Sequence, residues 1–146
     1  AMTWADDQII VGDFTYIYYG GYRWGHKADR FTERQIGFAQ MPRDRYIGLT
    51  AGENAGRLVT RTALWRSTGM IVNSRINPAG GELRVRLLNE NNQQYPGFDW
   101  DDCTPIKGDR VDHHVTWKED VGVLNGKSVK IEFQLKQGTI FSYNLK

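Results

Sequence analysis

Glu82-Leu83-Arg84-Val85-Arg86-Leu87-Leu88 is the stretch whose reading decides the fold. Leu83, Val85 and Leu87 fall on one side of a period-two alternation and Glu82, Arg84 and Arg86 on the other, the pattern of a strand with one face on a core and one in water. Val129-Lys130-Ile131-Glu132-Phe133-Gln134-Leu135 repeats it, and His113-His114-Val115-Thr116-Trp117 offers an apolar side through His113, Val115 and Trp117. Three half-buried strands joined by loops of unequal length predict two packed antiparallel sheets, a β-sandwich of the jelly-roll-like kind, with a barrel as the nearest alternative.

Outward from these strands, the chain shows no helical period over a full window. Sixteen glycines and four prolines punctuate short runs rich in Val, Ile, Thr, Tyr and Trp, which is the signature of an all-β chain. The alternation places strands at 8–11, 14–19, 34–42, 46–51, 56–62, 69–77, 82–88, 111–117, 129–135 and 140–145. Turn chemistry supports these cuts. Pro78-Ala79-Gly80-Gly81 is a compact connection, Gly108-Asp109 and Asn125-Gly126 supply positive-φ positions, and Gln137-Gly138 reads as the tip of a terminal hairpin. The longest interruption runs from Asn89 to Arg110. A loop beyond about 12–15 residues must be tied down or used.

The start of the chain reads differently. Thr15-Tyr16-Ile17-Tyr18-Tyr19-Gly20-Gly21, the polar loop Tyr22-Arg23-Trp24-Gly25-His26 and Glu33-Arg34-Gln35-Ile36-Gly37-Phe38-Ala39 form an expected β-hairpin. A lone hairpin is marginal in water, so this one needs a sheet to join. The expected organisation is an N-terminal strand and hairpin segment over 1–44, either packing on the sandwich or left from the sheet of a longer chain, and a β-sandwich over 45–146, together one structural domain.

Length and composition bound the function. At 146 residues, with 40% hydrophobic and 25% charged residues, the chain is a soluble globular domain of ordinary make-up. The net charge of +2 is small and its Lys and Arg residues are scattered, so nothing points to nucleic acid or to an anionic membrane. No apolar run reaches membrane-spanning length, and residues 1–14 lack the pattern of a secretory signal. Ala1-Met2 reads as an expression remnant. Cys103 is the single cysteine, which excludes an intramolecular disulfide.

Taken in order, several of these pieces resemble a known family. Tyr18-Tyr19-Gly20-Gly21, Gly25-His26 and Arg34-Gln35-Ile36-Gly37 are similar to the final strands of bacterial β-propeller glycoside hydrolases of the invertase and arabinanase kind. Gly80-Gly81-Glu82-Leu83-Arg84-Val85, Pro96-Gly97-Phe98, Asp101-Asp102-Cys103, Gly108-Asp109 and Val115-Thr116-Trp117 resemble the β-sandwich that closes many of those chains. The resemblance implies catalytic acids on earlier propeller blades, which this chain lacks, so no catalytic role transfers to any residue here. It also implies an extracellular or periplasmic setting and a parent hydrolase domain as partner, with a homodimer as the other expected partner.

The residues themselves offer binding before catalysis. Asp99, Asp101 and Asp102 share one loop, where mutual repulsion suits a solvated turn, a loop anchor or a structural calcium site with Asp109 better than a tuned acid and base. His26, His113 and His114 have no metal-ligand spacing, and Ser67, Ser74, Ser128 and Ser142 lie in no nucleophile elbow. Carbohydrate recognition uses aromatic rings beside polar side chains. Trp100 with Tyr95, Asp99 and Asp101 is the first candidate, Tyr22, Trp24 and His26 at the hairpin tip the second, and Trp65 the third. The expectation is a non-catalytic module that binds a polysaccharide or oligosaccharide, the alternatives being a purely structural fragment of a propeller hydrolase and a small glycan-active enzyme.

Overall fold

The computed structural model describes residues 2–24 and 34–146 and is all-β, with 56% of the chain in strands. The chain divides into two compact units, Ala1–Arg45 and Tyr46–Lys146. The first holds β1 (Met2–Val11), β2 (Phe14–Tyr22) and β3 (Arg34–Pro42), an antiparallel sheet in the order β1-β2-β3. The expected hairpin is therefore two strands of a three-stranded meander. Cross-strand pairing puts Ile9, Val11, Phe14, Tyr16, Tyr18, Ile36 and Phe38 on one face. Tyr16 stacks on Phe38 at 5.3 Å, yet Ile36 is 85% and Phe38 51% exposed.

The second unit has β4 (Leu49–Ala51), β5 (Gly56–Val59), β6 (Ala63–Leu64), β7 (Met70–Ile76), β8 (Glu82–Leu88), β9 (Gly108–Val115), β10 (Ser128–Lys136) and β11 (Gly138–Leu145). A 3₁₀ turn, Val121–Leu124, starts on the side chain of Asp120, which accepts from the Gly122 N–H at 2.8 Å. One antiparallel sheet has the order β4-β11-β7-β9. In the other, β10 pairs with β8 along one side and with β5 and then β6 along the other. Thr60 fills the gap between β5 and β6, donating its N–H to the Ile131 carbonyl and accepting the Ile131 N–H at its hydroxyl.

Both sheets feed one apolar core, which makes the unit sandwich-like. Met70, Val72, Ile76, Val115 and Ile140 come from one sheet, and Leu83, Val85, Leu87, Val129, Ile131, Phe133 and Leu135 from the other. The alternation in β8 and β10 falls as the sequence predicts, with Leu83, Val85, Leu87 and Phe133 fully buried. Full burial of each such side chain is worth about 1.5–3 kcal/mol, so these strands anchor the unit.

Three expectations change. Gln137-Gly138 is not a hairpin tip: β10 and β11 lie in different sheets, and the Gln137 N–H and carbonyl bond to Gly52 and Asn77 as the chain crosses over. The turn after β7 is likewise a crossover. Asn77 accepts the Ala79 N–H on its side chain and the Gly81 N–H on its carbonyl, and a Cβ at Gly81 would lie 2.6 Å from the Gln137 carbonyl oxygen. The strand expected at 56–62 also stops at Val59, because Thr60 turns its hydroxyl to the ladder.

His113 and His114 point to opposite sides of β9, His114 outward, as the alternation requires. Ser74 Oγ and His113 Nε2 are both buried without a hydrogen-bond partner among the described residues. Burial lowers the pKa of His113; the Gly108 backbone opposes the shift and the Arg110 charge adds to it. The unfolded chain therefore takes up this proton at a higher pH than the folded one. The stabilisation is complete above an unfolded pKa of about 6.5 and is lost as pH falls below it. Urea unfolding is expected to show a lower midpoint at about pH 5 than at about pH 7.5, with a smaller drop in His113→Gln.

Candidate functional site

The loop from Asn89 to Lys107 runs back along the open edge of β8 and is tied to it throughout. Tyr95 donates its N–H to the Leu87 carbonyl, and Leu87 donates to the Phe98 carbonyl, both at 3.0 Å. Cys103 Sγ accepts the Val85 N–H at 3.3 Å, Trp117 Nε1 donates to the Val85 carbonyl at 2.8 Å, and Leu83 exchanges both bonds with Ile106. Phe98, Cys103 and Ile106 are buried, and Phe98 meets Trp117 edge-on at 5.8 Å. Burial pushes the Cys103 thiol pKa up, so it serves here as a packed acceptor and not as a nucleophile.

This path places Trp100 on the outer face of the β5-β10-β8 sheet. Arg86 lies 4.6 Å and Arg57 5.8 Å from its ring centre. Between these arginines sits Glu132, whose side chain is 5% exposed and whose oxygens meet Arg86 Nε and Arg57 at 2.6 Å each. Arg86 also reaches Asp99 at 3.5 Å, while Arg84 donates to the Trp100 carbonyl at 2.9 Å and pairs with Glu82. The ring expected to be a sugar platform is thus part of a cation-stacked cluster, and the cluster's charges are already committed to one another.

The three loop acids do not converge. Asp99 turns to Arg86, Asp101 is fully exposed 3.7 Å from Arg84, and Asp102 accepts from Lys118 at 2.7 Å and from the Asp99 N–H at 3.0 Å. The Lys118 hydrogen bond and then that N–H hold the Asp102 carboxyl below its usual range, and the same bond raises Lys118. Among the described residues no group of three or more His, Cys, Asp or Glu side chains could hold a metal ion, and Asp99, Asp101 and Asp102 turn to separate basic partners. Asp102 is a loop anchor.

Trp65 is also corrected. It is 2% exposed, belongs to the core and donates its indole N–H to the Ser67 carbonyl at 2.8 Å, so no ligand reaches it. In the first unit Trp24 is 48% exposed with Arg23 5.4 Å from its ring, and Arg34 lies 5.5 Å from the Tyr22 ring. His26 lies outside the described residues.

Tyr95 is where an aromatic ring meets uncommitted polar groups. It borders a shallow cleft of ≈ 320 Å³ with Asn89, Glu90, Asn91, Lys127 and Ser128. Asn89 knots the rim: its side-chain oxygen accepts the N–H groups of Asn91 and Gln93 at 2.9 Å, and its amide donates to Gln93. Lys130 braces the same turn through the Glu90 carbonyl and the Asn92 side chain. Tyr95 donates its hydroxyl to the Ser128 carbonyl at 3.0 Å, and Lys127 Nζ stands 5.5 Å from its ring centre. The Glu90 carboxylate, the Asn91 amide and Lys127 Nζ have no ion or hydrogen-bond partner among the described residues.

Sequence reasoning missed Glu90, Asn91 and Lys127, although the polar run 89–94 and the Asn125-Gly126 turn were their signals. Two other concavities suit a sugar less. One of ≈ 590 Å³ has no aromatic wall, and one of ≈ 180 Å³ is an apolar slot around Phe133, Leu135 and Ile140. No protein-family model matches the chain, and no curated protein or solved structure matches it.

Glu132→Ala is expected to cost about 2–3 kcal/mol, since it strands Arg86 beside a ring while the half-exposed Arg57 relaxes into solvent. Chemical denaturation of the variant against the parent chain measures it; a cost near zero would mean that the cluster contributes nothing to stability.

Proposed function

We propose that this chain is a non-catalytic, carbohydrate-binding accessory module of a polysaccharide-degrading glycoside hydrolase. The observation that carries the reading is the Tyr95 cleft, where a donor, an acceptor and an amide stand uncommitted around an aromatic wall. Sugars present that demand: hydroxyls that both give and take hydrogen bonds, on a ring with an apolar face. The acids elsewhere in the loop fit a module that grips without cleaving. Hydrolysis needs two facing carboxyl groups about 5–9.5 Å apart, one of them protonated, whereas Asp99, Asp102 and Glu132 are each engaged by a cation. A parent hydrolase would set the module outside the cytoplasm.

Affinity electrophoresis through a panel of plant and microbial polysaccharides tests the reading. At least one is expected to retard the chain, with micromolar to millimolar affinity, and Tyr95→Ala is expected to weaken that binding about tenfold or more. Retardation by none of them, or binding untouched by Tyr95→Ala, counts against it.

The first unit favours a second role beside this one. Its sheet exposes Ile9, Val11, Phe14, Tyr18, Ile36 and Phe38 on one face, more apolar surface than a water-facing sheet normally leaves bare. Such a face suits the last strands of a propeller, which rest on a neighbouring blade, and makes the chain a structural partner of a hydrolase domain. Light scattering of the isolated chain is expected to show self-association that Phe38→Glu reduces. A strictly monomeric parent chain would speak against this role.

A further inference from the structure

We propose that the second unit binds a small, neutral, apolar molecule of single-ring size in the slot between its two sheets, a site separate from the Tyr95 cleft and independent of the carbohydrate reading. The slot lies between β4, an edge strand of one sheet, and β5, an edge strand of the other. Cross-strand pairing says what faces it. Leu49 stands opposite Ile140 in the ladder, Leu58 opposite Phe133 and Gly56 opposite Leu135, and directly opposed residues share a face of their sheet. Ile140, Phe133 and Leu135 are buried core residues, so the core itself is the floor of the slot and closes it on that side. Leu49 is 58% exposed although it shares the face of Ile140. The mouth is beside it, and a ligand enters without parting a strand.

The slot exists because an inward position carries no side chain. Gly56 has no left-handed backbone, and a Cβ built on it would meet the Ala51 Cβ at 3.4 Å, an ordinary contact. Nothing local therefore requires glycine there. With Ala51 across the gap, the two edge strands leave ≈ 180 Å³ that no described side chain fills. Protein interiors rarely leave a void larger than a water molecule.

Size and lining name the ligand. A cavity of about 150 Å³ walled by Leu, Ile and Phe stays dry and takes benzene or xenon. This slot matches it in both respects. Its two polar lining side chains are engaged elsewhere: the Thr50 hydroxyl lies 2.9 Å from that of Thr139, and the Arg57 guanidinium meets Glu132 at 2.6 Å. A charged or hydroxyl-rich ligand would lose its hydration there without replacement by any free side chain.

Methyl-resolved carbon NMR of the full chain, under xenon pressure and through a benzene titration, tests the site. Saturable shifts are expected at the methyl groups of Leu49, Leu58, Leu135 and Ile140, with a benzene Kd of about 1 mM or tighter. Gly56→Val and Ala51→Leu each put methyl groups into the slot from a different wall. Each is expected to weaken benzene binding about tenfold or more in a chain at least as stable as the parent, and using both keeps the test decisive where one of them disturbs the fold. Parent-chain methyls that do not move, shifts that spread over exposed methyls without saturating, or unchanged binding in either folded variant would overturn the site.

Discussion

The second unit depends on how the free edge of β8 is closed. Leu83, Val85 and Leu87 are fully buried, so their strand cannot leave its outer N–H and carbonyl groups to water. Each such group left unpaired would cost about 1–3 kcal/mol. The chain closes the edge without another strand. Ile106 takes both bonds of Leu83, Cys103 and Trp117 take those of Val85, and Tyr95 and Phe98 take those of Leu87. Two of these partners are side chains, a thiol sulfur and an indole N–H, which explains why a cysteine and a tryptophan sit there. Closing the edge also fixes where the loop carries Tyr95 and Trp100, so stability and site placement come from the same six bonds.

What the sequence made legible follows from period. Glu82–Leu88 and Val129–Leu135 carry the alternation, and their apolar faces are buried as it requires, while Glu132 on the outward face is buried too, under its arginines. The length of the Asn89–Arg110 interruption correctly signalled a segment under restraint. Pairing was less legible, because alternation says which face is buried and not which strand lies alongside. Gln137-Gly138 has the residues of a hairpin tip, and only the packing of β10 and β11 into separate sheets makes it a crossover. Trp65 was unreadable for a related reason: β6 is two residues long, too short for a period to assign the flanking ring to the core.

The acidic loop shows the same limit at the level of charge. Asp99, Trp100, Asp101 and Asp102 are neighbours in the chain, and read alone they look like a ring surrounded by hydrogen-bonding acids. Their true partners, Arg57, Arg86 and Lys118, arrive from distant strands and loops. The outward residues of β8 and β10 carried a partial signal, since Arg86 stands directly opposite Glu132 in the ladder. Opposite charges at such a pair stabilise by up to about 1 kcal/mol, and Trp100 then covers the pair from above the sheet.

On the proposed carbohydrate reading, that covering shifts the weight of recognition from Trp100 to Tyr95. A tryptophan backed by two guanidinium groups has already used part of its π-surface, and a saccharide arriving there competes with arginines that are themselves anchored on a buried carboxylate. Tyr95 spends its hydroxyl on the Ser128 carbonyl and faces one cation, Lys127 at 5.5 Å from its ring centre, where Trp100 faces two guanidinium groups. Binding favours polar groups without protein partners, because pairing them with a ligand breaks no hydrogen bond or ion pair within the protein, against the cost of ordering and dehydrating each side chain. The side chains of Glu90 and Asn91, on the knotted turn, and of Lys127, after the Asn125-Gly126 turn, are exposed and have no ion or hydrogen-bond partner among the described residues. On the proposed carbohydrate reading, the Tyr95 corner is therefore favoured, since backbone and amide bonds hold its turn and leave the charges of Glu90 and Lys127 free.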